Sequence, residues 1–402
     1  MQPETENNAL DLNDQPSKVE RHRLPKGIRD GYEVHRAALE RGLNIRLLPR
    51  QVMEVTIAGD PRSTKGFVHG VPQETTLAGA TYAQDLRMRR AMLMKAGFTV
   101  PRGATFSVGR SRLLGRKFAD RIGYPVVVKP AVGENTIEVQ TGIKNKRQFK
   151  QAIEYLFTPP RERKQFTRSA YALTELREPG KVDGKLVAPP GYRFLVEKQE
   201  QGQYLRFLII NNKVQNVLYC PDGPWETRSH LIKDVTNETH ITLKEAARQA
   251  SRVIPGLQVV TVDLIAADYT AKTSIKDAII VEFSERPWLS VQLKKSPELA
   301  AELAGKILMA TFPQAEDLPS QDRVLAAILI GGAVDPVALL EALGTKFHEL
   351  DIEGDLKESD HALGQIRGTV SGRPAELAWV FERLLDKGIN NQRAMLVDQT
   401  IL

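Results

Sequence analysis

The sequence has little sulfur, few aromatic residues and no long apolar segment. Its 402 residues include one cysteine, Cys220, which excludes a disulfide framework and favours a reducing compartment. No apolar run approaches the roughly 20 residues that a membrane-spanning helix requires. The first residues, MQPETENNALDLNDQPS, are acidic and polar, unlike a secretory signal or a transit peptide. We therefore expect a cytoplasmic protein without a membrane partner.

The remaining composition is that of an ordinary globular protein, with 42% hydrophobic residues, 26% charged residues and a net charge of +7. The positive charge indicates either an anionic partner such as nucleic acid, or basic residues on solvated faces and around a phosphate pocket. The basic runs ERHRLPKGIR, RMRR and PPRERKQFTR are short and separated, with few aromatic residues among them. This pattern favours the second interpretation over nucleic-acid binding.

Alternating helical and strand patterns predict an α/β (α+β) chain with several parts. Residues 1–28 are polar and aperiodic, which predicts a disordered tail. A small α/β lead-in over 29–78 is followed by two lobes, 79–190 and 191–312. An appended C-terminal α/β module over 320–402 has no role that its sequence indicates.

Periodicity also predicts individual elements within these parts. Apolar spacing predicts one helix over 81–95 and another over 323–330. Two apolar segments, 204–210 and 214–220, flank the pair Asn211-Asn212. Because asparagine tolerates positive φ, this arrangement predicts a β-hairpin.

A lysine ends one strongly apolar strand. Residues 126–128 are three valines, which predict a strand buried on both faces, and Lys129 follows directly. A lysine at this exit would bury its stem and present its ammonium group to a cleft, where phosphate oxygens are its natural partners. An edge lysine that extends to solvent is the structural alternative.

Two carboxylates lie inside the apolar strands of a second predicted hairpin. Asp263 stands in VVTVDLIAA and Glu282 in AIIVEFS, with Ser284 on the same face as Glu282. A buried carboxylate needs a cation or hydrogen bonds, and oxygen donors beside phosphate suit Mg²⁺. The alternative is a structural salt bridge to Arg286 or to a lysine.

These segments, in this order, resemble the ATP-grasp superfamily of carboxylate–amine ligases, in the branch of cyanophycin synthetase and glutathione-synthetase-like enzymes. The resemblance covers about residues 78–312. Its motifs are the LMKAGFTVPRG run over 93–103, GYPVVVKP over 123–130, VEKQ over 196–199 followed by Gly202 and Arg206, VDLI over 262–265 and EFSERP over 282–287.

The resemblance implies an ATP-grasp fold and an ATP- and Mg²⁺-dependent carbon–nitrogen ligase. Such an enzyme forms an amide from a carboxylate and an amine, for example an amino acid or peptide, through an acylphosphate. Homodimers are common in the family. The implied site residues are Lys129, Arg87 and Gly133 for the phosphates, Glu197, Lys198 and Gln199 for the adenine hinge, Arg206 with Lys129 for catalysis, and Asp263, Glu282 and Ser284 for the metal.

The chain departs from the family pattern at a few positions. Its phosphate loop keeps one glycine, Gly133, where the family has several, and Ser284 replaces the asparagine of the E-x-N metal motif. Two further hypotheses follow. One is a nucleotide-binding but catalytically weak homologue with a regulatory or scaffolding role. The other is a basic interaction protein that uses its C-terminal module to engage an anionic partner.

Overall fold

The computed structural model describes residues 26–132, 138–159, 162–163, 179–189 and 191–402. The predicted disordered tail therefore lies outside the described residues, apart from the start of the first helix. The chain divides into two compact units. We call Val71–Thr311 the central unit, and the residues up to Gly70 together with Phe312–Leu402 the terminal unit.

Helices and strands alternate along the described chain. The helices are α1 (Lys26–Glu40), α2 (Leu77–Gln84), α3 (Leu86–Lys95), α4 (Arg112–Ile122), α5 (Lys146–Phe157), α6 (Ile241–Ser251), α7 (Leu289–Lys295), α8 (Pro297–Thr311), α9 (Pro336–Leu350) and α10 (Pro374–Asp386). The strands are β1 (Asn44–Leu48), β2 (Val52–Thr56), β3 (Lys65–Val68), β4 (Val71–Pro72), β5 (Gly103–Ser107), β6 (Val126–Pro130), β7 (Gln140–Ile143), β8 (Gly180–Val182), β9 (Lys185–Val187), β10 (Arg193–Lys198), β11 (Gln203–Ile210), β12 (Lys213–Tyr219), β13 (Lys233–Asp234), β14 (Val259–Ala266), β15 (Ile279–Ser284), β16 (Val324–Gly331), β17 (Glu353–Asp360), β18 (Gln365–Gly372) and β19 (Leu396–Ile401). The mixed α/β prediction is confirmed.

The central unit contains two antiparallel sheets that carry the predicted motifs. One has the order β5-β10-β6-β7, with α4 and α5 packed against it. The other has the order β13-β12-β11-β14-β15, with α6 packed against β11, β12 and β14. The register places Arg206 opposite Asp263, and Asp263 opposite Glu282. Three charged residues therefore lie side by side on three adjacent strands of one sheet.

The predicted hairpin between β11 and β12 is confirmed. Asn211 and Asn212 have φ angles of 47° and 60°, the left-handed region that asparagine tolerates. The predicted helix over 81–95 is wrong in one respect, because it is two helices. Asp85, in an extended conformation, ends α2 and begins α3, and its carboxylate accepts a hydrogen bond from the backbone N–H of Arg87.

The terminal unit is built on a sheet with the order β17-β18-β16-β19-β1-β2-β3. The succession β16-α9-β17-β18-α10-β19, with this strand order, is a split β-α-β arrangement. The lead-in and the C-terminal module share this sheet, since β1 pairs with β19. The proposed lobe boundaries stay a prediction.

The predicted helix over 323–330 is wrong. This segment is the strand β16, and its residues alternate between buried and more exposed positions. The periodicity of a short apolar run cannot distinguish a buried helix from a buried strand. Here the segment forms a strand because it pairs with β18 and β19. Among the described residues, no helix combines the length and the apolarity that crossing a membrane requires.

Candidate functional site

A cavity of about 350 Å³ lies in the central unit. This volume falls within the range of small-molecule pockets, about 300–1,000 Å³. Its walls come from β6, β10, β11, β14 and β15 and from the loop at 221–226. Most of the residues predicted to form a nucleotide site line it: Lys129, Glu197, Lys198, Gln199, Arg206, Asp263 and Glu282.

Lys129 is buried at the exit of β6, with 3% of its surface exposed. Its Nζ lies 2.6 Å from Oε1 of Glu197 and 3.4 Å from Oε2 of Glu282. It also donates a hydrogen bond of 3.0 Å to the carbonyl oxygen of Val281. The alternative of an edge lysine extending to solvent does not describe this geometry, because the ammonium group faces the cavity among carboxylates.

The carboxylate of Glu197 is shared between two cations. While Oε1 faces Lys129, Oε2 accepts a hydrogen bond of 2.7 Å from Nη1 of Arg90. Arg90 also donates from Nη2 to the carbonyl oxygen of Pro101, 2.5 Å away. Burial lowers the pKa of Arg90, and the charge of Glu197 opposes this shift. Ion pairs through Glu197 on β10 therefore connect Lys129 on β6 with Arg90 on α3.

Glu282 also has two cationic neighbours. Arg89 forms a buried ion pair with its Oε1, and the backbone N–H of Phe283 donates to the same oxygen at 3.1 Å. Arg89 further donates to the carbonyl oxygens of Ala83 and Phe283. Burial by itself would raise the pKa of Glu282, but the charges of Arg89 and Lys129 outweigh it and lower that pKa. The carboxylate is therefore ionised at neutral pH.

Asp263 forms a two-pronged ion pair with Arg206. Nε and Nη2 of Arg206 lie 2.8 Å and 2.7 Å from the two carboxylate oxygens, and both side chains are fully buried. The hydroxyl of Tyr204 donates to Oδ2 of Asp263 at 2.8 Å. Burial would lower the pKa of Arg206, yet Asp263 raises it. The guanidinium group also lies 5.4 Å from the centre of the Trp225 ring, on the cavity wall.

Ser284 is occupied by local hydrogen bonds. Its Oγ accepts from the backbone N–H of Arg286 at 3.1 Å and from Nε1 of Trp288 at 2.9 Å. Trp288 is buried, adopts a left-handed backbone with φ of 51° and packs edge-on against Trp225. Both acceptor lone pairs of the serine hydroxyl are consequently in use.

The predicted adenine hinge follows β10 and lines the cavity. Nζ of Lys198 donates to the carbonyl oxygen of Gly123 at 2.9 Å, and Oε1 of Gln199 accepts from the backbone N–H of Gly142 at 2.7 Å. Gly202 ends the hinge with φ of 140°, and a Cβ there would come within 2.6 Å of a backbone oxygen of β14. Only glycine fits this approach without strain.

Two predicted phosphate contacts, Arg87 and Gly133, are not among the described residues that line the cavity. Arg87 is bonded to Asp85, with Nε 2.9 Å from Oδ1, and 46% of its side chain is exposed. Gly133 lies outside the described residues, so its predicted role stays a prediction.

The cavity offers carboxylate oxygens, which together with phosphate oxygens are the ligands that Mg²⁺ prefers. Asp263 and Glu282 supply the required oxygen chemistry, and Oε2 of Glu282 has the least engaged lone pairs, with Lys129 Nζ at 3.4 Å. Each carboxylate nevertheless holds an arginine already. Among the described residues, no group of three or more His, Cys, Asp or Glu side chains is arranged to hold a metal ion. The carboxylates fit a metal ion that arrives with phosphate oxygens of its own.

Of the run RMRR, the sequence analysis assigns only Arg87 to the site and misses Arg89 and Arg90. Leu86, Arg89, Arg90 and Leu93 are spaced as i, i+3, i+4 and i+7, so they share one face of α3. Leu86 and Leu93 are both buried. This spacing was the available signal that the two arginines face the interior, where the carboxylates need partners.

No family model matches the chain. The cyanophycin synthetase of Geminocystis herdmanii (strain PCC 6308) is 22% identical over 305 residues, which cover 66% of this chain and 34% of the relative. The chain thus spans about a third of the length of the curated relative that it matches.

Parts of the chain are similar to solved structures of ligases. A bifunctional glutathione synthetase from Pasteurella multocida has a TM-score of 0.42 and 16% identity, over 70% of this chain and 44% of that one. A D-alanine–D-alanine ligase from Bacillus anthracis, complexed with ATP, has a TM-score of 0.39 and 15% identity, over 60% of this chain and 69% of that one.

The match to cyanophycin synthetase agrees with the branch that the motifs predicted. The resemblance to the ATP-grasp ligases, in the branch of cyanophycin synthetase, is therefore confirmed.

Proposed function

We propose that the central unit binds ATP with Mg²⁺ in the cavity and joins a carboxylate to an amine. One observation carries the proposal: five strands from distant parts of the sequence contribute their charged residues to a single cavity of about 350 Å³. These residues are Lys129 from β6, Glu197 from β10, and Arg206, Asp263 and Glu282 from the second sheet. Lysine and arginine side chains bind the oxygens of a triphosphate, and carboxylates bind the metal ion that accompanies it.

The phosphates would be held by Lys129, together with Arg206. Both are buried cations on the cavity wall. Nη1 of Arg206 has no hydrogen-bond partner among the described residues, and its other two nitrogens are fixed by Asp263. It is therefore a rigid donor for a phosphoryl or carboxylate oxygen. Arg87 would have to leave Asp85 and turn toward the cavity to become the further phosphate contact that the sequence predicts, and the role of Gly133, outside the described residues, stays a prediction.

The base of the nucleotide would lie against the hinge formed by Glu197, Lys198 and Gln199. The metal ion would be held by Glu282 and Asp263. Ser284, whose Oγ already accepts two hydrogen bonds, would have to release one of them to act as the third proposed donor. A Mg²⁺ ion held there would neutralise charge on the phosphate oxygens. The protein's own contribution is to hold the reacting groups in line and to exclude water.

The reaction that this arrangement suits has two steps. A substrate carboxylate oxygen attacks the terminal phosphorus of ATP, ADP leaves, and an acylphosphate forms. An amine nitrogen then attacks the acyl carbon, inorganic phosphate leaves, and an amide remains. Arg206, next to the half-buried Trp225, would hold the transferred phosphoryl group or the acid. The substrates would be a small carboxylate and an amine, such as an amino acid or peptide, in the cytoplasm, with a homodimer as the proposed assembly.

The test is ADP release measured against a panel of carboxylic acids and amines. Wild-type protein should release ADP only when a suitable acid and amine are both present. Lys129→Ala should lose this release, whereas Lys95→Ala, which removes an exposed lysine from α3, should keep it. If ATP binds and no pair stimulates ADP release, the ligase proposal is wrong and the catalytically weak homologue replaces it.

A further inference from the structure

The loop over 221–226 brings two further carboxylates to the cavity. Asp222 and Glu226 both line it, and both are exposed. Neither side chain has an ion pair or a hydrogen bond with a described residue. Glu200 also lines the cavity, beside the hinge, where the charge of Lys198 acts on it. The loop therefore adds negative charge that the described residues leave without a counter-ion.

A lysine and a threonine hold this loop in place. The ammonium group of Lys294, on α7, donates to three carbonyl oxygens at 3.2, 2.7 and 3.3 Å, those of Pro224, Trp225 and Thr227. Oγ1 of Thr227 accepts a hydrogen bond of 3.0 Å from the backbone N–H of Asp222. Because both ends of the loop are bonded in this way, its two carboxylates have a fixed place at the cavity.

These carboxylates are not arranged as ligands of a metal ion. In the part of the chain that the structure describes, no group of three or more His, Cys, Asp or Glu side chains could hold one. An ammonium or guanidinium group needs fewer partners, since it is itself a donor of several hydrogen bonds and one or two carboxylates suffice for it. The loop therefore suits an organic cation.

A hydrogen-bond donor without a partner lies beside this loop. Arg206 is fully buried and lines the cavity, and its Nη1 has no hydrogen-bond partner among the described residues. Its guanidinium group lies 5.4 Å from the ring centre of Trp225, the residue directly before Glu226. Since Asp263 balances the charge of Arg206, Nη1 offers a directed hydrogen bond rather than net positive charge. It suits a carboxylate oxygen of a molecule whose other end meets the loop.

We propose that the acid substrate carries a positively charged group. Its carboxylate binds Nη1 of Arg206, and its ammonium or guanidinium group binds Asp222 and Glu226. The substrate class is then an amino or guanidino acid. A dicarboxylic acid is selected against, because its second carboxylate would meet two carboxylates that have no counter-ion. The inference rests on the proposed ligase function and names the acid that the same site takes.

The first test varies the charge of the acid while the nucleophile stays neutral. ADP release with ATP, Mg²⁺ and hydroxylamine is measured for two sets of acids, each differing in one group: alanine, isobutyrate and methylmalonate, and 4-aminobutanoate, pentanoate and glutarate. Hydroxylamine is uncharged at neutral pH and replaces the amine. In the set that reacts faster, we expect kcat/KM of the amino acid to exceed that of the neutral acid by about fivefold, as for a strong exposed ion pair. The dicarboxylate should be the poorest substrate.

The outcomes separate this inference from the proposed function. A neutral acid or a dicarboxylate that reacts as well as the matching amino acid would overturn the inference and leave the ligase function intact. If no acid of these sets or of the larger panel stimulates ADP release, the ligase function and the inference fail together. The preference should also shrink at high ionic strength, because salt screens exposed charges.

The second test removes the charge of the loop. The double variant Asp222→Asn, Glu226→Gln should lower the preference for the amino acid to less than about twofold, with the neutral acid reacting at the wild-type rate. Glu238→Gln, which changes an exposed residue outside the cavity, should keep the full preference. Glu226→Lys should reverse the order, so that the dicarboxylate reacts faster than the amino acid. An unchanged preference in the folded double variant would contradict the inference.

Discussion

Two clusters of buried polar side chains, one in each unit, differ in what surrounds them. The cavity cluster of the central unit comprises Lys129, Glu197, Arg206, Asp263 and Glu282, which all face the same cavity. The helix cluster of the terminal unit comprises His35, Gln51, Glu382 and Gln399, which join α1, α10, β19 and the turn before β2. Burial of charge by itself therefore does not identify a site.

The bonding of the helix cluster explains its different role. Nδ1 of His35 lies 3.4 Å from Glu382, and Nε2 of His35 lies 2.8 Å from the side-chain amide of Gln399. Gln51 donates to the other oxygen of Glu382 at 2.7 Å. Each contact links one element of the fold to another. We infer that these residues fix the packing of α1 and α10, whereas the cavity cluster is arranged for a ligand.

The largest contrast is expected at Lys129. Lys129→Ala removes the cation between Glu197 and Glu282 and leaves two buried carboxylates facing the cavity. Nucleotide binding should weaken by about 100-fold or more, as for a desolvated charged anchor. Equilibrium titration with an ATP analogue measures this, with circular dichroism to verify folding. Binding that is unchanged in a folded variant would remove Lys129 from the site.

A matched pair of amide substitutions compares the clusters directly. Glu382→Gln should lower the free energy of unfolding by about 1–3 kcal/mol, because a buried hydrogen bond to a charged group is weakened. It should leave nucleotide binding unchanged. Asp263→Asn weakens the two-pronged ion pair with Arg206 and should reduce both stability and nucleotide binding. Chemical denaturation and analogue titration of both variants provide the measurement. Equal loss of binding in both would contradict the distinction between the clusters.

The acid sensitivity of the cavity cluster should be smaller but measurable. Because the folded pKa of Glu282 is lowered from its ordinary value of 4.5, its ionised form stabilises the fold above about that pH. This contribution is lost as pH falls through the lowered pKa. Glu282→Gln should therefore show a flatter decline of unfolding free energy below about pH 4.5 than the wild type. Parallel curves would exclude Glu282 as a source of acid sensitivity.

The smallest functional effect is expected at Cys220, at the end of β12. Burial raises the pKa of its thiol to about 12, so the reactive thiolate is scarce at neutral pH. A thiol reagent at about pH 8 should label native protein at least about 100-fold more slowly than unfolded protein, without a change in nucleotide binding. Rapid native labelling would show that the segment before the 221–226 loop opens readily.

The sequence predicted the cavity cluster better than the terminal unit, for a physical reason. Charged residues within apolar strands are costly, so Lys129, Asp263 and Glu282 stand out wherever they occur. Their motif order then supplied the family. The segment VLAAILIG of β16 has no such marker, and its apolar run was mistaken for a helix.

The pairing of distant segments could not be predicted from the sequence either. The joining of β1 to β19 depends on contacts across the whole chain, and no local pattern reports them. The partners of the carboxylates were missed for a related reason. The salt bridges that the sequence left open as an alternative do form. Glu282 pairs with a lysine, Lys129, and with Arg89, and Asp263 pairs with Arg206, whereas Arg286 takes no part. The spacing of these arginines along their helix and strand indicates that they face the interior. The sequence does not indicate which carboxylate lies opposite each of them.

The central claim, that the cavity of the central unit binds the nucleotide, is tested most directly by hydrogen exchange with and without an ATP analogue. We predict that the analogue slows exchange in β6, β10 and β15, around Lys129, Glu197 and Glu282, and leaves β16 to β19 unchanged. Slowed exchange confined to β16 to β19, or no change anywhere at saturating analogue, would contradict the account.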